Sequence, residues 1–399
     1  MLPRSTGVSL DLGQVRALAV SSDANLAADP RIAPGDTLRR QIAYARHVAR
    51  YDVIVRTPPG SRRAAWRPAP TLHLCTVPAT RWGFVASGYR AALATGLRHR
   101  AQVVTCQDPF SLGLVGLLLQ RRLGMALNLQ VNGDVLDNPY FLAEHPLYPA
   151  FNLLAHRLIR AADTIRVSTS SERRAFVERW GLDAERVWNV PFLVEFAPFL
   201  VADPTGVRDW LEAPADAPLV LFLGRLVKAK DLGVLLRAAP RVLARHPNTV
   251  FVLAGAGPEE PMLRRLAGRL GIARSLRLPG RVPHARVPAL YAAADVFALS
   301  SHYEGTSMVT LEAAASALPV VATDVAGARD AVLPGESGLI VPRRDSRALA
   351  AALVEVLDDR ARARAMGRRG REHVLARFDP ERIARKMAEL WLATIRLAS

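Results

Sequence analysis

Short runs that are apolar at every position recur along this chain, and each leads at once into a glycine-bearing or polar turn and then a helical stretch. Leu219–Leu223 reads LVLFL and runs into Gly224-Arg225; Val250–Ala254 reads VFVLA and runs into Gly255-Ala256-Gly257-Pro258. A strand without a polar face has to be covered on both sides, the condition of a parallel sheet between two layers of helix. This pattern predicts an α/β chain built from parallel βαβ units.

The pattern runs through the sequence twice. In the first half it predicts strands at Val15–Val20, Asp52–Arg56, Ala101–Cys106, Ala126–Val131 and Thr164–Ser168, with helices at Leu38–Arg50, Leu112–Leu123 and Phe151–Ala162. No strand is recognisable between Arg56 and Ala101. A proline-bearing stretch, Phe192–Pro204, reads as a linker. Beyond it the two LVLFL-type strands are joined by Leu276–Leu278, Val296–Leu299, Val320–Thr323 and Gly338–Val341. A chain of 399 residues exceeds one ordinary hydrophobic core. We therefore expect two doubly wound, Rossmann-like domains facing across a cleft: residues 1–195 and residues 205–381. The amphipathic segment 382–399 is expected to pack back on the first domain.

Composition removes several classes. No apolar run approaches the roughly 20 residues of a membrane span. The first thirty residues carry Asp11, Asp23 and Asp29 and no clean apolar segment, which argues against a secretory signal and for a cytoplasmic protein. The two cysteines, Cys75 and Cys106, are too few for a disulfide scaffold or a Cys-built zinc site. Cys106 reads as a buried strand residue, with a reactive thiol as the alternative.

The formal net charge is +17, and residues 1–100 alone contribute +10 of it. Between Asp52 and Asp108 stand eight arginines and no acid, with Trp66, Trp82, Phe84 and Tyr89 among them. Such a field attracts anionic partners, either nucleic acid or the anionic leaflet of a membrane. It is equally the solvated surface of an arginine-rich protein.

Ligands of open parallel sheets bind beyond the C-terminal strand ends, and three ends in the second half stand out. After Leu219–Leu223 comes Gly224-Arg225-Leu226-Val227-Lys228-Ala229-Lys230. Gly224 permits close backbone approach, while Arg225 and Lys230 can reach a phosphate. The chain has three lysines against 50 arginines, so two lysines within three residues point to a site that needs a compact ammonium. The second end is Gly255-Ala256-Gly257, a tight turn or a close approach to a ligand. The third runs from Ser301 to Ala313 and holds two carboxylates eight apart. Glu304 precedes Gly305 in a loop; Glu312 lies in a helix expected to begin near Thr306 or Ser307. The start of that helix presents free amides and partial positive charge to an anion. A diphosphate there would set Glu304 beside a sugar and Glu312 beside a ribose, whose vicinal hydroxyls carboxylates accept. The plain alternative is that both glutamates pair locally.

Taken together and in this order, these elements resemble glycosyltransferase family 4, a retaining family of GT-B architecture. The likeness covers nearly the whole second half and extends through Ala317–Thr323 and Glu336–Val341. In the first half it rests on Gln107-Asp108-Pro109-Phe110 and Asn132-Gly133-Asp134. It implies a nucleotide-diphosphate sugar as co-substrate, with no cofactor and no metal. Arg225 and Lys230 would hold the diphosphate and Glu304 the transferred sugar. Gly224, Gly257, Gly305, Thr306, Ser307 and Glu312 would form the rest of the donor site. Asp108, Asn132 and Asp134 are the acceptor-side candidates. Two positions depart from the family: Ser21-Ser22-Asp23-Ala24-Asn25 replaces a glycine-rich loop, and Asn132 stands where relatives often carry histidine.

The implied activity is transfer of a hexose-type sugar to a glycan or lipid-linked acceptor in cell-surface polysaccharide synthesis. The stretch Arg56 to Arg100 would then meet the inner face of the cytoplasmic membrane. A soluble acceptor, or hydrolysis or epimerisation of the nucleotide sugar, would keep the same fold. A basic nucleic-acid-binding protein explains the charge but not paired glutamates at a phosphate site, and no nucleic acid is expected.

Overall fold

Each apolar run predicted to be a strand is one, to within two residues at either end. The computed structural model describes residues 10–27, 36–133 and 135–398. The chain divides into two units, one of residues up to Val194 together with those from Asp379 onward, the other Glu195–Phe378.

The first unit holds strands β1 (Arg16–Ser21), β2 (Arg50–Thr57), β3 (Ala65–Ala69), β4 (Leu72–Pro78), β5 (Val103–Cys106), β6 (Ala126–Val131), β7 (Thr164–Val167) and β8 (Val187–Asn189). Their order in the sheet is β3-β4-β2-β1-β5-β6-β7-β8. All pairs are parallel except β3 with β4, a hairpin that adds an antiparallel edge. That hairpin and the helix Gly83–His99 occupy the segment where the sequence showed no strand. Ala65–Ala69 carries proline and little burial, as an edge strand can, so periodicity gave no signal there. The first helix also differs from expectation. It spans Asp36–Ala45 and stops short of Arg50, which already belongs to β2.

The two faces of this sheet differ in chemistry. Val104 and Cys106, Leu127, Leu129 and Val131, and Ile165 and Val167 enter the apolar core with Leu112, Val115, Leu119 and Leu158. The alternate residues Thr105, Asn128, Gln130, Thr164 and Arg166 are also buried. They satisfy one another: Thr105 Oγ1 donates to Asn128 Oδ1 at 2.7 Å and Asn128 Nδ2 to Thr164 Oγ1 at 2.9 Å. Gln130 Nε2 donates to Thr105 Oγ1 at 2.9 Å. The helix Pro380–Ala398 covers this polar face. Thr394 lies 2.6 Å from Thr164 Oγ1, and the fully buried Trp391 packs on Tyr51 with ring centroids 4.8 Å apart.

The second unit holds β9 (Leu219–Leu223), β10 (Val250–Ala254), β11 (Leu276–Arg277), β12 (Val296–Leu299), β13 (Val320–Thr323) and β14 (Gly338–Val341). All are parallel, in the order β11-β10-β9-β12-β13-β14. From β9 the chain winds outward to β10 and β11, then returns to add β12 on the other side. The switch point thus lies between β9 and β12, where doubly wound sheets bind ligands. The expected linker is not wholly irregular. Ala197–Leu200 is a helical turn whose Phe199 is buried and packs edge-on against Tyr291, centroids 5.9 Å apart.

Candidate active site at the switch point of the second sheet

The loops after β9 and β12 are joined at the switch point by four contacts. His302 N donates to Ala229 O at 2.9 Å, and Ser300 Oγ donates to Lys230 O at 2.9 Å. Lys230 Nζ donates to Glu304 Oε1. His302 Nε2 lies 3.3 Å from Asp231 Oδ2. The loop after β12 is held in turn from β13, whose Thr323 Oγ1 donates to Ser301 O at 2.8 Å.

Lys230 and Glu304 were singled out from sequence separately, and the structure brings them together. Ser301 Oγ donates to the same carboxylate oxygen at 2.7 Å. The pair is largely shielded, with side-chain exposures of 17% and 12%. A shielded ammonium and carboxylate held by a third donor form a preorganised charged site, whose fields are stronger than those of exposed groups.

Arg225 sits in the same loop but stands apart. Its side chain is exposed and makes no hydrogen bond or ion pair among the described residues. Gly224, at φ 151°, donates its amide to Ala254 O at 2.9 Å and so ties the β9 loop to β10. Gly257 serves the same junction: a Cβ there would lie 2.2 Å from Leu226 O. Its missing side chain is therefore required by loop-on-loop packing.

Gly305 and Thr306 lie in the loop before the helix Met308–Ala315, which begins one or two residues later than expected. Ser307 is buried, its hydroxyl 2.7 Å from Thr310 Oγ1. Glu312, in the second turn, is 7% exposed and accepts a hydrogen bond from Tyr291 OH at 3.0 Å. Burial first, then the charge of Glu312, hold the Tyr291 phenol well above its ordinary pKa. The two glutamates of the motif thus occupy different settings. Glu304 pairs with a cation, whereas Glu312 takes a neutral phenol donor.

Sequence reading assigns no role to the residues that build this frame: Ser301 and Thr323, which lie inside the stretches it quotes, and Ser300, Tyr291 and Gly327, which it passes over. A Cβ on Gly327 would lie 1.9 Å from Gly305 O and 2.6 Å from Ser307 N, so only glycine admits this course of the β12 loop. Ser300 and Ser301 directly follow an apolar strand, a position that could have flagged them.

The acceptor-side candidates lie in the first unit. Asp108 accepts the amides of Phe110 at 2.8 Å and Leu112 at 3.2 Å, which fastens the loop after β5 to the start of helix Ser111–Leu123. Burial raises its pKa, and those amides partly offset the rise. Asn132 Nδ2 donates to Gln107 O at 2.9 Å, while its Oδ1 is buried without a partner. Asp134 lies outside the described residues. Arg62, Arg63 and Arg67 are exposed, and Phe84 is core. Among the described residues no group of three metal-ligating side chains converges and no helix is long and apolar enough to cross a membrane.

Solved structures share this architecture. The chain superposes on sucrose-phosphate synthase from Thermosynechococcus elongatus with a TM-score of 0.78, at 23% identity, over 94% of this chain and 98% of that one. For HepE from Anabaena the TM-score is 0.72, at 19% identity, over 94% and 99%. Two parallel-sheet α/β units of this kind define the fold class as that of the GT-B glycosyltransferases. Residues 207–373 match the family described as glycosyl transferases group 1, and residues 37–193 a glycosyl transferase 4-like domain. D-inositol 3-phosphate glycosyltransferase 2 of Catenulispora acidiphila is 34% identical over 294 residues, 71% of this chain and 69% of that protein. The chain belongs to the group 1 glycosyltransferase family, and it is a glycosyltransferase.

Proposed function

We propose that this chain moves a hexose-type sugar from a nucleotide-diphosphate donor, held at the β9–β12 switch point, to an acceptor hydroxyl with retention of configuration. The observation that carries the reading is the Lys230–Glu304 pair beside the start of helix Met308–Ala315. The ammonium and the helix amides would meet the diphosphate's charge, with Arg225 free to close on it from the surface. Glu304, already oriented by Ser301, would face the sugar, and Glu312 the ribose. The departing phosphate would take the acceptor's proton as the new bond forms on the same face. In this reading the two cations and the helix start supply the charge stabilisation without a metal or cofactor. HepE, which shares the fold, has been crystallised in complex with UDP, which supports a nucleotide donor.

For the acceptor we favour a hydroxyl of a glycan or a lipid-linked intermediate, reached by peripheral contact with an anionic membrane surface. Trp82 is 46% exposed on the arginine-bearing segment, and in the same unit Leu153, on the helix Tyr148–Ala161, and Leu147, just before it, are exposed. The curated relative is named for inositol 3-phosphate, which favours a small soluble acceptor as the second reading.

A thermal-shift screen with UDP-, GDP-, ADP- and dTDP-sugars tests the donor assignment, since a ligand of the folded state raises its stability. At 100 times its Kd the correct donor adds about 2.7 kcal/mol. Stabilisation by none of them would remove the donor site. The anomeric configuration of the product, read by NMR before mutarotation, tests retention.

A further inference from the structure

The second unit contains a cavity of about 190 Å³ at the N-terminal ends of its strands, the end of the sheet opposite the β9–β12 switch point. Asp295, which precedes β12, and Leu318 and Pro319, which precede β13, line it from the sheet. Sites for drug-sized ligands run to roughly 300–1,000 Å³, so this one admits only a small molecule. Its floor is apolar, with Leu318, Pro319 and Leu357 all buried. The start of helix Arg360–Arg377 forms the rim, where Arg360 and Arg364 both line the cavity. That helix is held close to the sheet, since a Cβ on its Gly367 would lie 1.8 Å from Ala317 O.

The arginines of this helix divide into two sets. Arg362 pairs with Glu355 at 2.7 Å, Arg369 with Glu336 at 3.4 Å and Arg377 with Asp330 at 2.8 Å, and Arg371 donates to Ala315 O at 2.8 Å. Arg360, Arg364 and Arg368 form no ion pair among the described residues, and all three are exposed. They recur every fourth residue, so they share one face of the helix. Arg360 makes a long hydrogen bond to Asp216 O, at 3.5 Å. The carboxylates nearby are committed elsewhere. Asp358 Oδ1 takes Arg245 at 3.2 Å and His246 at 3.0 Å, and Asp359 accepts the Arg362 amide at 2.9 Å. Asp295 is the one carboxylate in the wall. Its Oδ2 accepts the Leu219 amide at 2.8 Å and has its own counter-charge in Arg208, at 3.3 Å.

Like charges one helical turn apart repel, and here no carboxylate of the fold answers them. Guanidinium forks take phosphate oxygens in pairs, and two of them match the charge of a phosphate dianion. The apolar floor adds a second requirement, because it gains from covering a ring or a short chain and not from a bare ion. We propose that this cavity binds a small phosphate monoester with an apolar body, the phosphate on Arg360 and Arg364 and the body on Leu318, Pro319 and Leu357. The site is separate from the donor site. Asp295 and Ser300 flank β12 at its two ends, about 16 Å apart at the usual rise of a strand.

Calorimetric titration of the full chain with phenyl phosphate is the direct test, with inorganic phosphate and benzyl alcohol as the two halves of that probe. Phenyl phosphate should bind saturably and about tenfold more tightly than inorganic phosphate, equivalent to about 1.4 kcal/mol. Benzyl alcohol should show no saturable binding. Arg360→Gln and Arg364→Gln should each weaken phenyl phosphate about tenfold. Both side chains are exposed, so both variants should fold, and unchanged denaturation midpoints check that they do. Arg368→Gln removes the same charge one turn beyond the cavity and should leave the affinity as it is. Saturating UDP should not displace the probe, whatever UDP itself does at the donor site. Absence of saturable binding, affinity no greater than for inorganic phosphate, an equal loss in Arg368→Gln, or displacement by UDP would each overturn the proposal.

Discussion

Lys230, in the turn after β9, donates to Glu304, in the loop after β12, across 74 residues of sequence, and Ser301 Oγ donates to the same carboxylate oxygen at 2.7 Å. Removing the ammonium would leave a shielded carboxylate without its counter-charge. Lys230→Met should therefore cost about 3 kcal/mol in the unfolding of the second unit, with Lys230→Met/Glu304→Leu recovering most of it. Sugar transfer should fall at least about a hundredfold in either variant. Denaturant titration and single-turnover rates read the two effects separately; a stable, fully active Lys230→Met would sink the assignment.

Tyr291→Phe takes one donor from Glu312 and from Val309 O at a buried position. The expected loss is about 1–2 kcal/mol, the cost of unmaking a hydrogen bond to a charged group. If Glu312 holds the ribose, the donor KM rises while kcat changes little. A drop confined to kcat would place Glu312 at the reacting bond instead.

Gly327→Ala would press a methyl against Gly305 O and Ser307 N and displace the β12 loop. About 1–3 kcal/mol of stability should go with it, and the UDP-sugar thermal shift should shrink. The exposed Gly268, where a Cβ meets nothing within 4 Å, is the control: Gly268→Ala should leave both readouts unchanged or slightly raised.

Glu172 caps the helix Ser170–Arg174 and is buried, which pushes its pKa up to about 7 from 4.5, against the pull of hydrogen bonds from Ser168 and Thr169. A carboxyl raised in the folded state binds its proton more tightly there. Its contribution is complete below about pH 4.5 and is lost as pH rises towards 7. The stability difference between wild type and Glu172→Gln should therefore move against the wild type over that interval, on the order of 3 kcal/mol in all. Denaturation midpoints at pH 5 and pH 7.5 give the sign; a flat difference excludes it.

Cys106 is fully buried, and burial holds its thiol far above the ordinary range. Cys75 is partly exposed and its pKa is raised less. Ellman's reagent should thus titrate one thiol slowly in the native protein and both in denaturant. Rapid reaction of two thiols before unfolding would contradict the buried placement.

Much of the architecture was legible because strands buried on both faces leave continuous apolar runs, as in LVLFL. The β3–β4 hairpin was not, since its edge strand Ala65–Ala69 is half-exposed, bears a proline and has no periodicity to read. The helix Asp36–Ala45 is shorter than the sequence suggests because Val48, buried just past its end, continues the helix's apolar spacing. In the second unit the motif spacing points to Lys230 and Glu304, yet cannot say that they touch. Arg166 was passed over although a charge inside TIRV, a four-residue strand, is itself a signal.

By itself the sequence determined the parallel α/β class, the two runs of strands, and the residue types gathered at three strand ends. These follow from short-range periodicity and composition, which a linear chain carries in full. Tertiary structure alone decided the partners: Lys230 with Glu304, and Tyr291 with Glu312. Strand order decides such pairs, and it sets loops side by side that lie scores of residues apart. Whether a charge is then buried or paired depends on what the fold brings against it, and no spacing along the chain encodes that.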